Sequence, residues 1–304
     1  MHAHLDVSQV SETMRGTRKV NVVTNTLLPT ARPILKWAGG KTQLLPEISS
    51  RAPKSFSSYH EPFVGSGAVF FSLSPNKATI SDTNENLVSL YTHVRDNTVP
   101  LFEALQALQE EFNELPSEEK SAHYYSKRAQ FNAEAKGSIH QSALMVFLNK
   151  TGFNGMYREN PKGEFNIPFA KKETVNLPTY EHLEACKSVL DKADIIHTGF
   201  ESIVERAKSG DFVYFDPPYV PLTKTSSFTS YQAKGFSLND HEKLAQTFSS
   251  LHDSGVKVLL SNSDTPEVRK IFKEFTIETV YARRSINSKG SGRGTVAEVL
   301  VRNY

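Results

Sequence analysis

Strand-like and helix-like segments alternate along most of this chain, and that alternation restricts the fold more than any other feature. Tyr59–Phe63 is a short apolar run that breaks at Gly65-Ser66-Gly67 and then enters an apolar helix through Ala68–Leu73. Lys77–Ser81 reads as a second strand ending at Asp82, and Asn84–Val94 has helical spacing at Leu87, Leu90, Tyr91 and Val94. After a long interruption the pattern resumes. Asp194–Thr198, Phe212–Phe215 and Lys257–Ser261 read as strands, with helices over Ile203–Lys208 and Asp240–Ser254. Phe275–Tyr281 and Glu298–Val301 predict a closing antiparallel pair. Such alternation predicts an α/β fold with a mostly parallel sheet covered on both faces.

The interruption, residues 97–176, is mostly helical in pattern and ends in the turn-rich segment Thr151–Phe169. Residues 1–32 lack periodicity and read as an irregular arm. Arg283–Gly294 is a short basic loop rich in Gly and Ser. The expected organisation is an arm over 1–32, a sheet domain from 33–96 and 177–304, and a helical insert over 97–176.

The 304 residues are 38% hydrophobic, an ordinary globular composition. No apolar run approaches the roughly 18 residues of a membrane span, and the N-terminus lacks a secretory signal core. No membrane association and a cytoplasmic location are therefore expected. Cys186 is the one cysteine, which excludes an internal disulfide framework or a cysteine-rich zinc site and fits a reducing compartment. No metal is expected. A net charge of +2 decides little, but its distribution is uneven. Lys120, Lys127, Arg128, Lys136, Lys150, Arg158, Lys162, Lys171 and Lys172 share their stretch with only Glu134, Glu159 and Glu164. That is either a solvated face or a surface that tracks phosphates.

Ligands on open α/β sheets sit beyond the carboxyl ends of the strands, and three features fall there. Phe63-Val64-Gly65-Ser66-Gly67 lets the backbone approach a ligand, or is a purely structural turn. Asp82, at the end of the next strand, suits a ribose diol, or caps the following helix. Asp216-Pro217-Pro218-Tyr219 ends the fourth strand and is the sharpest signal. It suits methyl transfer to an aromatic amine, whose lone pair is delocalised into its ring. The Asp216 carboxylate and the Pro217 carbonyl are acceptors for both amine hydrogens, and together they localise that lone pair. Prolines fix the direction of the carbonyl, and Tyr219 offers a ring for stacking. The plainer reading is a strand-ending turn. Gly40-Lys41-Thr42 looks like a phosphate loop, but the required earlier glycine is Leu35. Pro33–Thr42 reads instead as a flap, with Trp37 packing, or plain core, and Lys41 meeting a carboxylate.

Trp37-Ala38-Gly39-Gly40-Lys41, Glu61–Gly67, Asp82, Asn154–Arg158, Gly163–Phe169 and Asp216–Tyr219 occur in the order found in the DNA adenine methylase (Dam) family. From about Pro33 to Tyr304 the chain resembles that family. Through Gly210–Ser237 it is most similar to the methylases that accompany GATC-cutting restriction enzymes. The resemblance implies a Rossmann-like, S-adenosyl-L-methionine-dependent methyltransferase sheet with an inserted helical target-recognition domain. It implies a cofactor site from Trp37, Lys41, Asp82 and Asp216, with backbone from Ala38, Gly39, Phe63 and Gly65. Asp216, Pro217 and Tyr219 are the implied catalytic residues. Lys36 and Arg158 match residues that meet guanines, Phe153 and Asn154 match a turn that fills the gap left by an extruded base, and Lys171 lies on the DNA side. The implied partner is double-stranded DNA, in a bacterial or phage-encoded setting, with a separately acting restriction endonuclease as a further candidate. The chain departs from relatives that carry Tyr at the Phe153 position and Gly-Arg-aromatic where it has Ala170-Lys171-Lys172. Methylation of cytosine N4, methylation of RNA adenine, and a catalytically silent DNA-binding relative stand as alternatives.

Overall fold

The computed structural model describes residues 30–220, 236–283 and 295–304. The expected arm therefore lies almost wholly outside the described residues, as does nearly all of the loop expected over Arg283–Gly294. The alternating pattern forms one sheet of seven strands in the order β3-β2-β1-β4-β5-β7-β6. These are β1 (Tyr59–Glu61), β2 (Ala78–Asp82), β3 (Ala193–His197), β4 (Phe212–Phe215), β5 (Lys257–Ser263), β6 (Thr276–Arg283) and β7 (Thr295–Arg302). Strands β3, β2, β1, β4 and β5 pair in parallel, and β7 runs antiparallel to both β5 and β6. The order reverses between β1 and β4, which opens a crevice beyond their carboxyl ends.

The central strands are buried on both sides, so they read as continuous apolar runs. Side-chain alternation then sorts them. Phe212 and Tyr214 face one core with Tyr59, Leu259 and Leu300, while Val213 and Phe215 face a second with Val258, Leu260, Val299 and Val301. The second core is covered by α8 (Ile203–Arg206), α9 (Leu238–Asp253) and α10 (Pro266–Ile271).

The first core continues without a break into the helical region. That region comprises α4 (Thr98–Glu114), α5 (Ser117–Ala133) and α6 (Ile139–Thr151). Leu101, Leu105, Phe112, Tyr124 and Phe147 belong to the same buried cluster as Tyr59, Phe70 and Leu90. The helices α1 (Leu45–Arg51) and α7 (Tyr180–Leu190) were not anticipated from the periodicity. The strand expected over Tyr59–Phe63 ends earlier, at Glu61, because Pro62 has no N–H to give the ladder. Strand β5 runs two residues further than expected, to Ser263, although its last three residues are polar. No helix among the described residues is long and apolar enough to cross a membrane.

Candidate active site and nucleic-acid face

All three features expected at the carboxyl edge are found there. After β1 the backbone turns through Gly65, with φ +47°, and Gly67, with φ +68°, into α2 (Ala68–Leu73). Those dihedrals lie in the left-handed region that glycine enters without a Cβ penalty. A Cβ on Gly65 would also sit 3.0 Å from Cδ1 of Trp37. The glycine thus serves the close approach of Trp37 as well as the turn. Its amide donates to Asp82 Oδ2 at 3.1 Å, and its carbonyl accepts from the Tyr91 hydroxyl at 2.7 Å. Asp82 Oδ1 accepts from the Asn84 amide at 2.9 Å. The cap of α3 (Glu85–Asp96) falls to Asn84, whose side chain accepts from Leu87, so Asp82 is not the capping residue. Burial pushes the Asp82 carboxyl up, and the backbone amides oppose it.

The flap crosses this turn. Trp37 stacks on Tyr157, with ring centroids 5.2 Å apart, and Ala38 and Gly39 follow it toward Lys41. The Lys41 side chain is 5% exposed and its ammonium lies 2.7 Å from Asp216 Oδ1. It also donates to the Gly39 carbonyl. The carboxylate expected for Lys41 is therefore Asp216, one residue beyond β4. Asp216 Oδ1 accepts a second hydrogen bond, at 3.0 Å, from Ser261 on β5. Burial pushes the Asp216 carboxyl up, while Lys41 and the Ser261 hydroxyl pull it down. Pro217 is buried behind it and Pro218 is exposed. The Tyr219 hydroxyl donates to Glu298 Oε2 at 2.7 Å, and the Lys41 ammonium stands 4.6 Å from the centroid of its ring. One face of the ring expected to stack on a base therefore carries a cation.

Glu61, Ser261 and Glu298 complete this cluster, and no site role for them was inferred from sequence. Glu61 is 2% exposed and accepts from the Tyr59 hydroxyl at 2.6 Å. Burial pushes its carboxyl up to about 8, with the Asp216 charge adding to the effect. Burial raises Glu298 too. Lys41 thus faces the carboxyls of Glu61, Asp216 and Glu298, all three raised by burial. A cation favours the charged form of such carboxyls, so the cluster fits the sulfonium and ammonium of S-adenosyl-L-methionine. A polar tail on a buried strand, Ser261-Asn262-Ser263, was the signal that could have identified Ser261.

Phe63 lies on the other side of the turn, stacked against Phe200 at 5.4 Å and edge-on to Phe236 at 5.8 Å. These rings form an apolar wall.

The expected DNA residues gather around the turn after α6. Phe153 is 49% exposed, and Asn154 takes a left-handed φ of 57°. Asn149, 2% exposed, donates to the carbonyls of Lys36 at 2.9 Å and Gly155 at 2.8 Å, and accepts from the Lys36 amide at 2.9 Å. One buried amide therefore bolts the flap to the turn. Lys36, Lys150, Phe153, Asn154 and Lys172 line a cavity of about 380 Å³ there. Burial holds Lys150 below the usual lysine range, and Arg32 and Lys36 add to that. Lys171 is exposed, with φ 55°. Arg158 is exposed, with its Nε donating to Asn166 Oδ1 at 2.8 Å.

The basic stretch is not one surface, which corrects part of the sequence reading. Lys120 is 4% exposed, and its ammonium donates to the Phe112 carbonyl at 2.8 Å, at the end of α4. Lys127 pairs with Glu111 and Lys136 with Glu85. Arg128 donates to the Ile167 carbonyl and lies over Tyr125. Lys120 in particular is a structural cation. Cys186 is buried, and its thiol donates to the Arg32 carbonyl at 3.3 Å.

The sequence profile of a family described as D12 class N6 adenine-specific DNA methyltransferase matches residues 37–286. The Type II methyltransferase M1.LlaDCHI of Lactococcus lactis subsp. cremoris is 39% identical over 90% of this chain and 95% of its own length. The Type II methyltransferase M.MjaIII of Methanocaldococcus jannaschii is 40% identical over 90% of this chain and 99% of its own. The DNA adenine methylase of Escherichia coli (strain K12) is 35% identical over 88% and 94%. Matched over most of its length, and carrying a paired Asp216 at the crevice where its sheet reverses, the chain belongs to the D12 class of N6 adenine-specific DNA methyltransferases.

Proposed function

We propose that this S-adenosyl-L-methionine-dependent D12-class enzyme methylates adenine N6 within GATC of duplex DNA, after turning the adenine out of the helix. The observation that carries the reading is Asp216. Its Oδ1 is held by Lys41 and Ser261 at the crevice between β1 and β4, and Oδ2 is left without a hydrogen bond among the described residues. Trp37, Lys41, Asp82 and Asp216, with backbone from Ala38, Gly39, Phe63 and Gly65, would hold the cofactor. When bound, S-adenosyl-L-methionine supplies an electrophilic methyl group whose bond to sulfur breaks with the electron pair staying on sulfur.

The residues of the chain act on the adenine. Asp216 Oδ2 and the Pro217 carbonyl accept the two N6 hydrogens and localise the lone pair that forms the new N–C bond. As positive charge develops on N6, these fixed acceptors favour the transition state over the ground state. The surplus N6 proton leaves along the hydrogen bond to Asp216. Extrusion costs a few kcal/mol, offset by protein contacts in the pocket and by Phe153 and Asn154 entering the gap. Arg158 presents the forked geometry that reads guanine O6 and N7, and Lys36 meets the other guanine.

The GATC reading rests on the resemblance through Gly210–Ser237 and the Asn154–Arg158 turn. Two relatives are named Type II methyltransferases, which supports a role beside a separately acting restriction endonuclease. A bacterial or phage-encoded cytoplasmic setting belongs to the same proposal. The test is incubation of unmethylated plasmid DNA with enzyme and cofactor, then mapping of modified bases at sequence resolution. N6-methyladenine confined to GATC is expected. Methylated cytosine, another site, or unmodified DNA beside tightly bound cofactor overturns the reading.

A further inference from the structure

Ser261 has no exposed surface, and its Oγ stands between two partners. It is 3.0 Å from Asp216 Oδ1 and 2.9 Å from the hydroxyl of Tyr214, which is also fully buried. The placement follows from the register. Strands β4 and β5 are adjacent and parallel, with Phe215 beside Leu260, so the next residue on each strand is Asp216 and Ser261. Backbone pairing already joins these strands, and the hydroxyl pair adds something the ladder does not provide.

Hydrogen counting sets a direction. A serine hydroxyl has one hydrogen, and an ionised carboxylate only accepts. The Ser261 hydrogen therefore goes to Asp216, and the Ser261 oxygen accepts from Tyr214. Burial drives the Tyr214 phenol well up, which keeps its proton in place. Lys41 approaches the same carboxylate oxygen at 2.7 Å. Both contacts converge on Oδ1, and none of the described residues hydrogen-bonds Oδ2.

We propose that Tyr214 and Ser261 form a buried positioning relay that, with Lys41, anchors Oδ1 of Asp216 and thereby presents Oδ2 to the amine being methylated. The proposal rests on the function assigned above. Neither residue touches the substrate, and both act through Asp216. A preorganised acceptor needs its own orientation fixed by neighbours, because an unanchored carboxylate rotates and divides its time between useful and useless geometries. The Ser261 hydrogen bond adds to Lys41 in favouring the ionised form against burial and the nearby carboxyls of Glu61 and Glu298, so the relay lowers the pH at which Asp216 ionises.

The test uses Ser261→Ala, Ser261→Thr and Tyr214→Phe in the full-length enzyme. Single-turnover methylation of a labelled GATC duplex is measured against pH, with the affinities for duplex and cofactor measured separately. For Ser261→Ala the plateau rate falls by about 10- to 100-fold. Its acid limb moves up by about one pH unit. Both affinities stay near wild type. Ser261→Thr keeps the hydroxyl and restores the rate, and Tyr214→Phe shifts the limb in the same direction by less. A readout independent of activity is the carboxyl carbon titration of Asp216 in the enzyme alone, identified by its loss in Asp216→Asn, which moves up in step. An unmoved acid limb and titration in a folded Ser261→Ala overturns the proposal, as does a loss confined to thermal stability or duplex affinity. Should Ser261→Ala not fold, Tyr214→Phe, which removes one oxygen, decides by the same two readouts. A wild-type enzyme that methylates no adenine sinks the functional reading, and the titration still decides the relay.

Discussion

Asp216 shows how one side chain is set for its task by its surroundings. It is held in place by an ammonium and a hydroxyl on the same oxygen, at 2.7 and 3.0 Å, with burial working against its charge. Asp216→Ala keeps the fold and lowers methyl transfer by on the order of 100- to 1000-fold, checked by tritium incorporation beside far-UV circular dichroism. Near-normal incorporation refutes the role. Glu61 gives a pH signature. Its carboxyl ordinarily titrates near 4.5 and is pushed up to about 8 in the folded protein. The folded chain therefore holds this proton over a range where the unfolded chain has released it. The stabilisation is complete below about pH 4.5 and drains away as pH rises toward 8. Glu61→Gln becomes progressively more stable relative to wild type across that window, as measured by urea unfolding at stepped pH. A constant difference between the two proteins removes the buried-acid assignment.

The turn after α6 and the flap are separate segments of chain joined by Asn149. Asn149→Ala strands the backbone groups of Lys36 and Gly155 and lowers unfolding free energy by about 1–3 kcal/mol, read from the urea midpoint. Asn149→Asp is worse, because a carboxylate cannot donate to either carbonyl. An unchanged midpoint for both variants contradicts the bolt described above. Arg158→Ala weakens discrimination at one guanine by about 1–3 kcal/mol, measured by competing cognate and substituted duplexes. Equal discrimination in the variant sinks that contact. The strands, the glycine turn and the Asp216 corner could be read from sequence, because continuous apolar runs and left-handed glycines leave local marks. Asn149 left none, and Ser261 left only the polar end of its strand. Each acts on a partner far along the chain, 113 residues away for Asn149 with Lys36 and 45 for Ser261 with Asp216. Only the folded register brings them together. Lys120 was misplaced for a related reason, since a charge pattern does not reveal that a helix end nearby takes up the ammonium.

Basic residues over 120–172 sort into those that serve the fold and those that face outward. Lys172→Ala lowers the salt dependence of duplex binding by about one ion, whereas Lys120→Ala leaves that slope alone and loses stability instead. Fluorescence anisotropy titrations at stepped salt separate the two, and a reduced slope for Lys120→Ala contradicts its burial. The unbroken packing between sheet and helical region bears on how such an enzyme changes its target site. Phe112 and Phe147 pack in the same cluster as Tyr59 and Phe70, so α4–α6 are not a detachable cassette. Grafting a relative's entire 97–176 region would tear that cluster open. New sequence preferences are therefore more accessible through substitutions on the exposed rim between Phe153 and Lys172, where side chains can be exchanged without unpacking the interior.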